Sequence, residues 1–318
     1  MEKSFKKINI IAVILGAAII ASFIIVGSFL DYDISSALFK PGQEGFFGIS
    51  GSVIAQAPTF IGVTVAGALL LAASKCKLLD QKKNLRYGLI VFGIIAIAIG
   101  TFLSFYYALK LKNFESIGKT TKYYILVAIS ALIALAINGL LVFFILKNGS
   151  KLIFKKAVMV GVLIILIVAA EVIFYHVFKY LVSRPRPRYI FAQDEPLRFF
   201  ENWWHLHPFK GLTDDEFTSC PSGHCANAMA LPFILVALTY LKPDMKFGYR
   251  LLAFIIGFAW TLIWALSRVF AGAHFFSDLG MGMLVTFISG IVLWNYFVYK
   301  FKIHLPEVTP VEQPVENK

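Results

Sequence analysis

The sequence predicts an all-α, polytopic membrane bundle of about eight helices, and three observations carry that prediction. The chain of 318 residues is 58% hydrophobic with a mean hydropathy of +0.76. Charged residues make up 15%, well under the roughly 25% of soluble domains. Eight apolar runs, most of them near the ~20 residues that span a bilayer, follow one another along the chain. They lack the alternation of a barrel strand. In hydrocarbon the backbone must bond to itself, so they read as helices.

In order, the runs are 8–30, 52–73, 88–109, 123–146, 157–178, 226–241, 251–267 and 279–299. The first follows Lys3, Lys6 and Lys7. It is too long for a 7–15-residue signal core and reads as a retained span. The sixth and seventh are short, and each abuts a polar cluster into which its helix is expected to continue. If the N-terminus lies inside and the spans alternate, 18 of the 30 Lys and Arg residues fall on the inner side, as the positive-inside rule asks. The Lys110–Lys122 loop runs against that bias. This orientation puts both termini in the cytoplasm of a plasma-membrane protein and the polar clusters together on the outer face. The formal net charge of +12 sits in loops between spans, so no folded basic domain remains for a nucleic acid. Cys76, Cys220 and Cys225, an odd count without paired spacing, exclude a disulfide framework and a zinc site and read as small packing residues.

The long stretch from Lys179 to Pro221 is rich in aromatics and charge. Trp203 and Trp204 suit a membrane interface, and the stretch is expected to lie across the outer clusters. His205 and His207 read as part of that interfacial loop rather than as a metal pair, and Asp214, Asp215 and Glu216 as a solvated run. Glu171, two turns before Lys179 in the fifth span, either pairs with a cation or stays protonated. His176 reads as packing. The chain divides by motif content into residues 1–150, residues 151–302 with the polar clusters, and a proline-bearing tail, 303–318, expected to be disordered.

Three clusters carry the chemistry. Ionisable groups near membrane depth are costly and mark function when several complementary ones gather on one face. In the third cluster, Ser267 to Asp278, His274 and Asp278 are four apart. If the eighth helix begins near His274, they share a face, and the carboxylate would fix the ring tautomer and leave the other nitrogen able to attack. Arg268 offers a permanent planar fork to phosphate. In the second cluster, Ser222, Gly223 and the amides of a helix start form an anion site, and His224 can protonate a departing alkoxide. In the first, Pro185 and Pro187 force an extended path that lets an arginine fold back beside Lys179. Arg184, Arg186 and Arg188 compete for that place, and spacing alone does not choose.

Lys179-x6-Arg186-Pro187, Pro221-Ser222-Gly223-His224 and Ser267-Arg268-x5-His274-x3-Asp278 resemble the three signature motifs of the type 2 phosphatidic acid phosphatases. That superfamily also holds bacterial acid phosphatases and vanadium haloperoxidases. The resemblance covers about 100 residues and selects Arg186. It implies a phosphatase core in the C-terminal half and a membrane lipid phosphatase acting on a lipid phosphomonoester or diphosphate, of phosphatidic acid, phosphatidylglycerophosphate or polyprenyl diphosphate type. By it His274 attacks phosphorus and becomes a phosphohistidine, and Asp278 orients His274. His224 protonates the leaving oxygen and then activates water. Lys179, Arg186, Arg268, Ser222 and the Gly223 amide hold the phosphoryl oxygens. With fixed cations in place of a metal, and no HExxH, EF-hand or paired-carboxylate pattern in the sequence, no metal and no cofactor is expected. The expected partners are the lipid phosphate substrate and membrane lipids. A phosphotransferase with a lipid acceptor shares the same motifs; a transporter is disfavoured by spans almost free of charge. Members of the family commonly have the first motif after the third span. Here it follows the fifth, so two N-terminal helices are extra and their role is open.

Overall fold

The computed structural model describes residues 2–42, 45–109, 121–149, 153–242 and 245–303. The Lys110–Lys122 loop, apart from its last two residues, and the tail from 304 onward lie outside the described residues. The described chain is helical with no strand: α1 (Glu2–Leu38), α2 (Gly45–Ile54), α3 (Ala57–Ala73), α4 (Lys83–Leu109), α5 (Thr121–Lys147), α6 (Phe154–Val182), three one-turn helices α7 (Pro187–Ile190), α8 (Pro196–Phe199) and α9 (Lys210–Thr213), then α10 (Gly223–Thr239), α11 (Phe247–Phe270) and α12 (Phe276–Phe301). Seven stretches are long and apolar enough to cross a membrane; α10, with 17 residues, is shorter.

The length of α10 follows from where it sits. It packs against α3, α6, α11 and α12, so protein rather than lipid surrounds it and it need not match the bilayer. Met229, Phe233 and Ala237 of α10 share one buried cluster with Ile164 and Ile167 of α6, Phe258 of α11 and Phe287 of α12. Pro232 interrupts the helix and deprives the carbonyl four residues earlier of its amide partner. The Thr261 hydroxyl of α11 donates to that Ala228 carbonyl at 2.9 Å, which restores the pairing that hydrocarbon demands. By contrast α5 turns Leu132, Leu140, Phe143 and Phe144 outward, as a lipid-facing helix does.

The predicted second span is two helices. α2 ends at Ile54 and α3 begins at Ala57, and Pro58 stands in the first turn of α3, where its missing N–H costs nothing. A continuous apolar run hides this break. α2 lies flush on α11: a Cβ at Gly51 would overlap Ser267 Oγ. α1 crosses α12 as closely, since a Cβ at Gly27 would overlap the Ser277 backbone. The helices upstream of the polar clusters thereby touch the residues next to them.

Candidate active site

Each cluster is delivered by a helix end. Lys179 lies in the last turn of α6. That helix stops where Ser183 takes a left-handed conformation (φ 47°) and returns its N–H to the Lys179 carbonyl at 2.9 Å, a common helix ending. The prolines then hold the chain from Arg184 to Arg186 out of helix, and Arg186 caps α7 with φ −81° and ψ 150°. Ser222 caps α10, accepting from Cys225 N at 3.4 Å, so His224 stands in the first turn. Arg268 is in the last turn of α11 and Asp278 in the first turn of α12.

His274 is fully buried. Its Nδ1 lies 2.6 Å from the Ser219 carbonyl. A carbonyl only accepts, so Nδ1 carries the proton and Nε2 keeps its lone pair. Nε2 is buried and has no hydrogen-bond partner among the described residues. The His224 ring is 5.9 Å away, centre to centre. Burial, then the charges of Arg186, Lys179, His224 and Arg268, push the His274 pKa well below the usual histidine range. Burial and those four groups together keep the ring neutral.

The expected contact between Asp278 and His274 is not made. α12 begins at Phe276 with Phe275 as its cap, so His274 lies ahead of the helix, and the four-residue spacing does not put the two side chains on one face. The Asp278 carboxylate instead accepts from Phe275 N (2.9 Å), the Ser219 hydroxyl (2.6 Å) and Arg184 Nη1 (2.7 Å). It acts on His274 at one remove, by holding the Ser219 residue whose carbonyl fixes the ring.

The arginines divide the work. Arg184, fully buried, forms an ion triad with Asp278 and with Asp31 of α1 (3.0 Å), and stacks over Phe275 at 4.1 Å. Asp31 also accepts from Ser277 N at 2.8 Å and from the Ser277 hydroxyl. Arg186 donates to Thr218 Oγ1 (2.6 Å), to the Ala273 carbonyl (3.3 Å) and to the Asp215 carbonyl (3.0 Å), which aligns its fork beside His274. Arg268 Nη1 donates to the Gly48 carbonyl of α2 at 2.9 Å, while its Nε has no partner. The acidic run is not simply solvated. Asp215 meets Arg186 at 3.3 Å and Arg188 at 3.5 Å, and Glu216 meets Arg188 at 2.7 Å. Burial alone would raise the Asp215 pKa; Arg186, the Thr218 hydroxyl and Arg188 outweigh it and hold it below the usual carboxylate range.

Several contributors come from residues the sequence reading passed over. Asp31, Gly48, Ser219 and Gln56 are among them, and Gln56 Nε2 lies 2.9 Å from His224 Nε2. Glu171 pairs with no cation: one oxygen accepts from Thr59 at 3.1 Å and the other has no partner. His176 bonds the Val172 carbonyl of its own helix at 2.8 Å. His207 faces Glu201 at 2.6 Å. Trp203 of the aromatic loop donates to Ser28 Oγ of α1 at 2.9 Å, and Trp204 stays exposed. Cys220 and Cys225 are buried thiols. Among the described residues no group of three or more His, Cys, Asp or Glu side chains is placed to hold a metal ion.

Residues 160–302 match the family model of the PAP2 superfamily. They are a PAP2 superfamily domain. No curated protein and no solved structure gives a significant match. The PAP2 domain spans α10–α12 with most of α6, and it contains all eight residues for which the motifs imply a role. Carried on apolar helices of membrane-spanning length, it marks a membrane phosphatase of this superfamily. α1, α2 and α3 lie outside the matched residues, yet supply Asp31, the Gly48 carbonyl and Gln56.

Proposed function

We propose that the protein hydrolyses a lipid phosphate through a phosphohistidine on His274, with its site at the outer face of the plasma membrane. The observation that carries this reading is the state of His274 Nε2: an unpartnered lone pair on a neutral ring, within reach of the charges of Arg186, Lys179, His224 and Arg268. A nucleophile needs the lone pair, and a phosphoryl group needs fixed positive charge around it.

In this mechanism Lys179, Arg186 and Arg268 bind the phosphoryl oxygens with Ser222 and the Gly223 amide at the start of α10. Nε2 of His274 forms the N–P bond as the P–O bond to the lipid breaks. His224 gives its proton to the departing oxygen. It then takes a proton from water, whose oxygen attacks the phosphohistidine, frees His274 and releases inorganic phosphate. Phosphoryl transfer depends chiefly on positioning and charge stabilisation, and the cations here supply both.

The lipid substrate is favoured by placement. The motif helices end where the apolar spans end, beside a loop whose Trp204, Leu206 and Phe209 are exposed. The test is phosphate release by purified protein in detergent with EDTA present. Phosphatidic acid, phosphatidylglycerophosphate, a polyprenyl diphosphate and a soluble phosphate ester are each run against His274→Ala. Hydrolysis of a lipid member, lost in the variant, is the expected result. Release that persists in His274→Ala would sink the mechanism, and activity that appears only with an acceptor lipid present would replace hydrolysis with phosphoryl transfer.

A further inference from the structure

Gln56 stands at the break between α2 and α3, 168 residues from His224 and outside the PAP2 domain. It is 4% exposed, and its side chain is held on three sides. Nε2 donates to the Ser52 carbonyl at 2.8 Å, one turn back in α2. The same nitrogen meets His224 Nε2 at 2.9 Å. Oε1 accepts from Asn227 Nδ2 at 3.2 Å, and Asn227 is on α10 one turn past His224. A long polar side chain buried in an apolar run costs free energy unless its bonds are made, and here they are made to the one histidine that the reaction requires to change protonation.

We propose that Gln56 is a positioning residue for His224, holding the ring at Nε2 in both of its protonation states. The inference rests on the reading of His224 as general acid and base. An amide suits the task because it carries a donor and an acceptor about one bond angle apart. As arranged, the Ser52 carbonyl makes Gln56 present N–H, so Nε2 of the neutral ring accepts. When the ring is doubly protonated, Nε2–H needs an acceptor. Rotation of the Gln56 amide by a half-turn supplies Oε1 and moves the N–H toward Asn227. Asn227 Oδ1 is buried and has no partner in the present arrangement; a matching half-turn of Asn227 gives that oxygen a donor. The half-turn gives up the Ser52 bond and keeps the Asn227 bond with its direction reversed. With Nε2–H then held on Gln56 Oε1, Nδ1 is the nitrogen that gives its proton to the leaving oxygen and takes one from water, and the ring keeps its direction throughout.

The test uses the full-length protein in detergent and compares kcat/KM on phosphatidic acid with kcat/KM on p-nitrophenyl phosphate. The first has an alkoxide leaving group that needs a proton; the second leaves as a stabilised phenolate. Gln56→Met keeps the length and removes all three bonds. It is expected to lower kcat/KM on phosphatidic acid by about 10–100-fold, part of the 10²–10⁴ that a general acid contributes, and to change the aryl ester far less. Gln56→Glu, which accepts from Nε2–H, is expected to recover most of the loss. Asn227→Ala, which frees the far end of the amide, should show the same split at smaller size, and stands in if Gln56→Met does not fold. His224→Ala separates the two claims. If it shows the leaving-group split and both Gln56→Met and Asn227→Ala lose equally on both esters or stay within twofold of wild type, the positioning role is overturned and the general-acid reading stands. If His224→Ala shows no split, or wild type hydrolyses neither ester, the parent reading fails and takes this one with it.

Discussion

At the residue scale, the tautomer of His274 is the central fact, and a backbone carbonyl sets it. Because Ser219 fixes Nδ1–H, and burial with nearby cations lowers the ring's pKa, His274 is neutral in the folded protein where an unfolded chain would bind a proton. The sign follows: the unfolded state takes up more protons below its ordinary pKa of 6.5, so stability falls as pH drops through that value and is undiminished above it. Thermal midpoints measured from pH 7.5 down to 5 should fall more steeply for wild type than for His274→Gln. Asp215 gives a second prediction at this scale. Its carboxylate meets Arg186 Nη2 at 3.3 Å, one nitrogen of the guanidinium that the mechanism assigns to phosphate. Asp215→Asn removes a competing negative charge, so orthophosphate and vanadate should inhibit hydrolysis at several-fold lower concentration, read from Ki. What the sequence made legible here is uneven. His224, His274, Arg186 and Arg268 stand in motifs whose spacing survives folding. A helical spacing suggests a contact between Asp278 and His274, but His274 lies just ahead of α12. Ser219 acts through its backbone, which no side-chain pattern can announce.

At the scale of the element, the spans were legible because hydropathy reports burial in lipid directly. The break between α2 and α3 was not, since both pieces are apolar, and Pro58 in a first turn looks the same as Pro58 in a run. That break places Gly48 under Arg268 and Gln56 under His224. Gly51 lets α2 reach α11, so Gly51→Leu should wedge them apart. Overpacking of this kind costs about 1–3 kcal/mol, visible as a lower midpoint in detergent. It should also withdraw the Gly48 carbonyl from Arg268 and reduce kcat/KM. The triad of Asp31, Arg184 and Asp278 ties α1 to α12 and to the loop after α6. Asp31→Ala takes from Arg184 one of its two carboxylates and leaves the buried Ser277 N–H and hydroxyl without their acceptor. A buried donor left unsatisfied costs about 1–3 kcal/mol, so the midpoint should fall clearly although no motif contains Asp31. The first span was read as ending at Leu30, which left Asp31 in a loop; α1 in fact runs to Leu38.

At the scale of the molecule, the two N-terminal helices that the family pattern did not explain are part of the frame of the site. α1 braces α12, and the α2–α3 break braces α11 and α10. A fragment limited to the PAP2 domain should therefore release no phosphate from any ester the full chain hydrolyses. Co-expression with residues 1–149 should restore activity, assayed after purification by a tag on the C-terminal piece. An active fragment on its own would mean that the N-terminal contacts are dispensable. Composition revealed that the chain is a membrane bundle and motifs revealed which end holds the chemistry. The cross-braces lie 168 to 247 residues apart in sequence, and a single sequence holds no local signal for a pairing at that range.

The triad also imposes an order on biogenesis. Asp31 is synthesised 153 residues before Arg184, and Arg184 comes 94 before Asp278. At about 5–20 residues per second, the first span carries an uncompensated carboxylate at its end for roughly 10–30 s before its cation exists, and the last span arrives later still. Arg184 then matches Asp31, and α12 brings a second carboxylate, Asp278, together with the Ser277 donors that bond Asp31. A ribosome that stalls before α12 leaves those charges matched but α1 without the helix it braces.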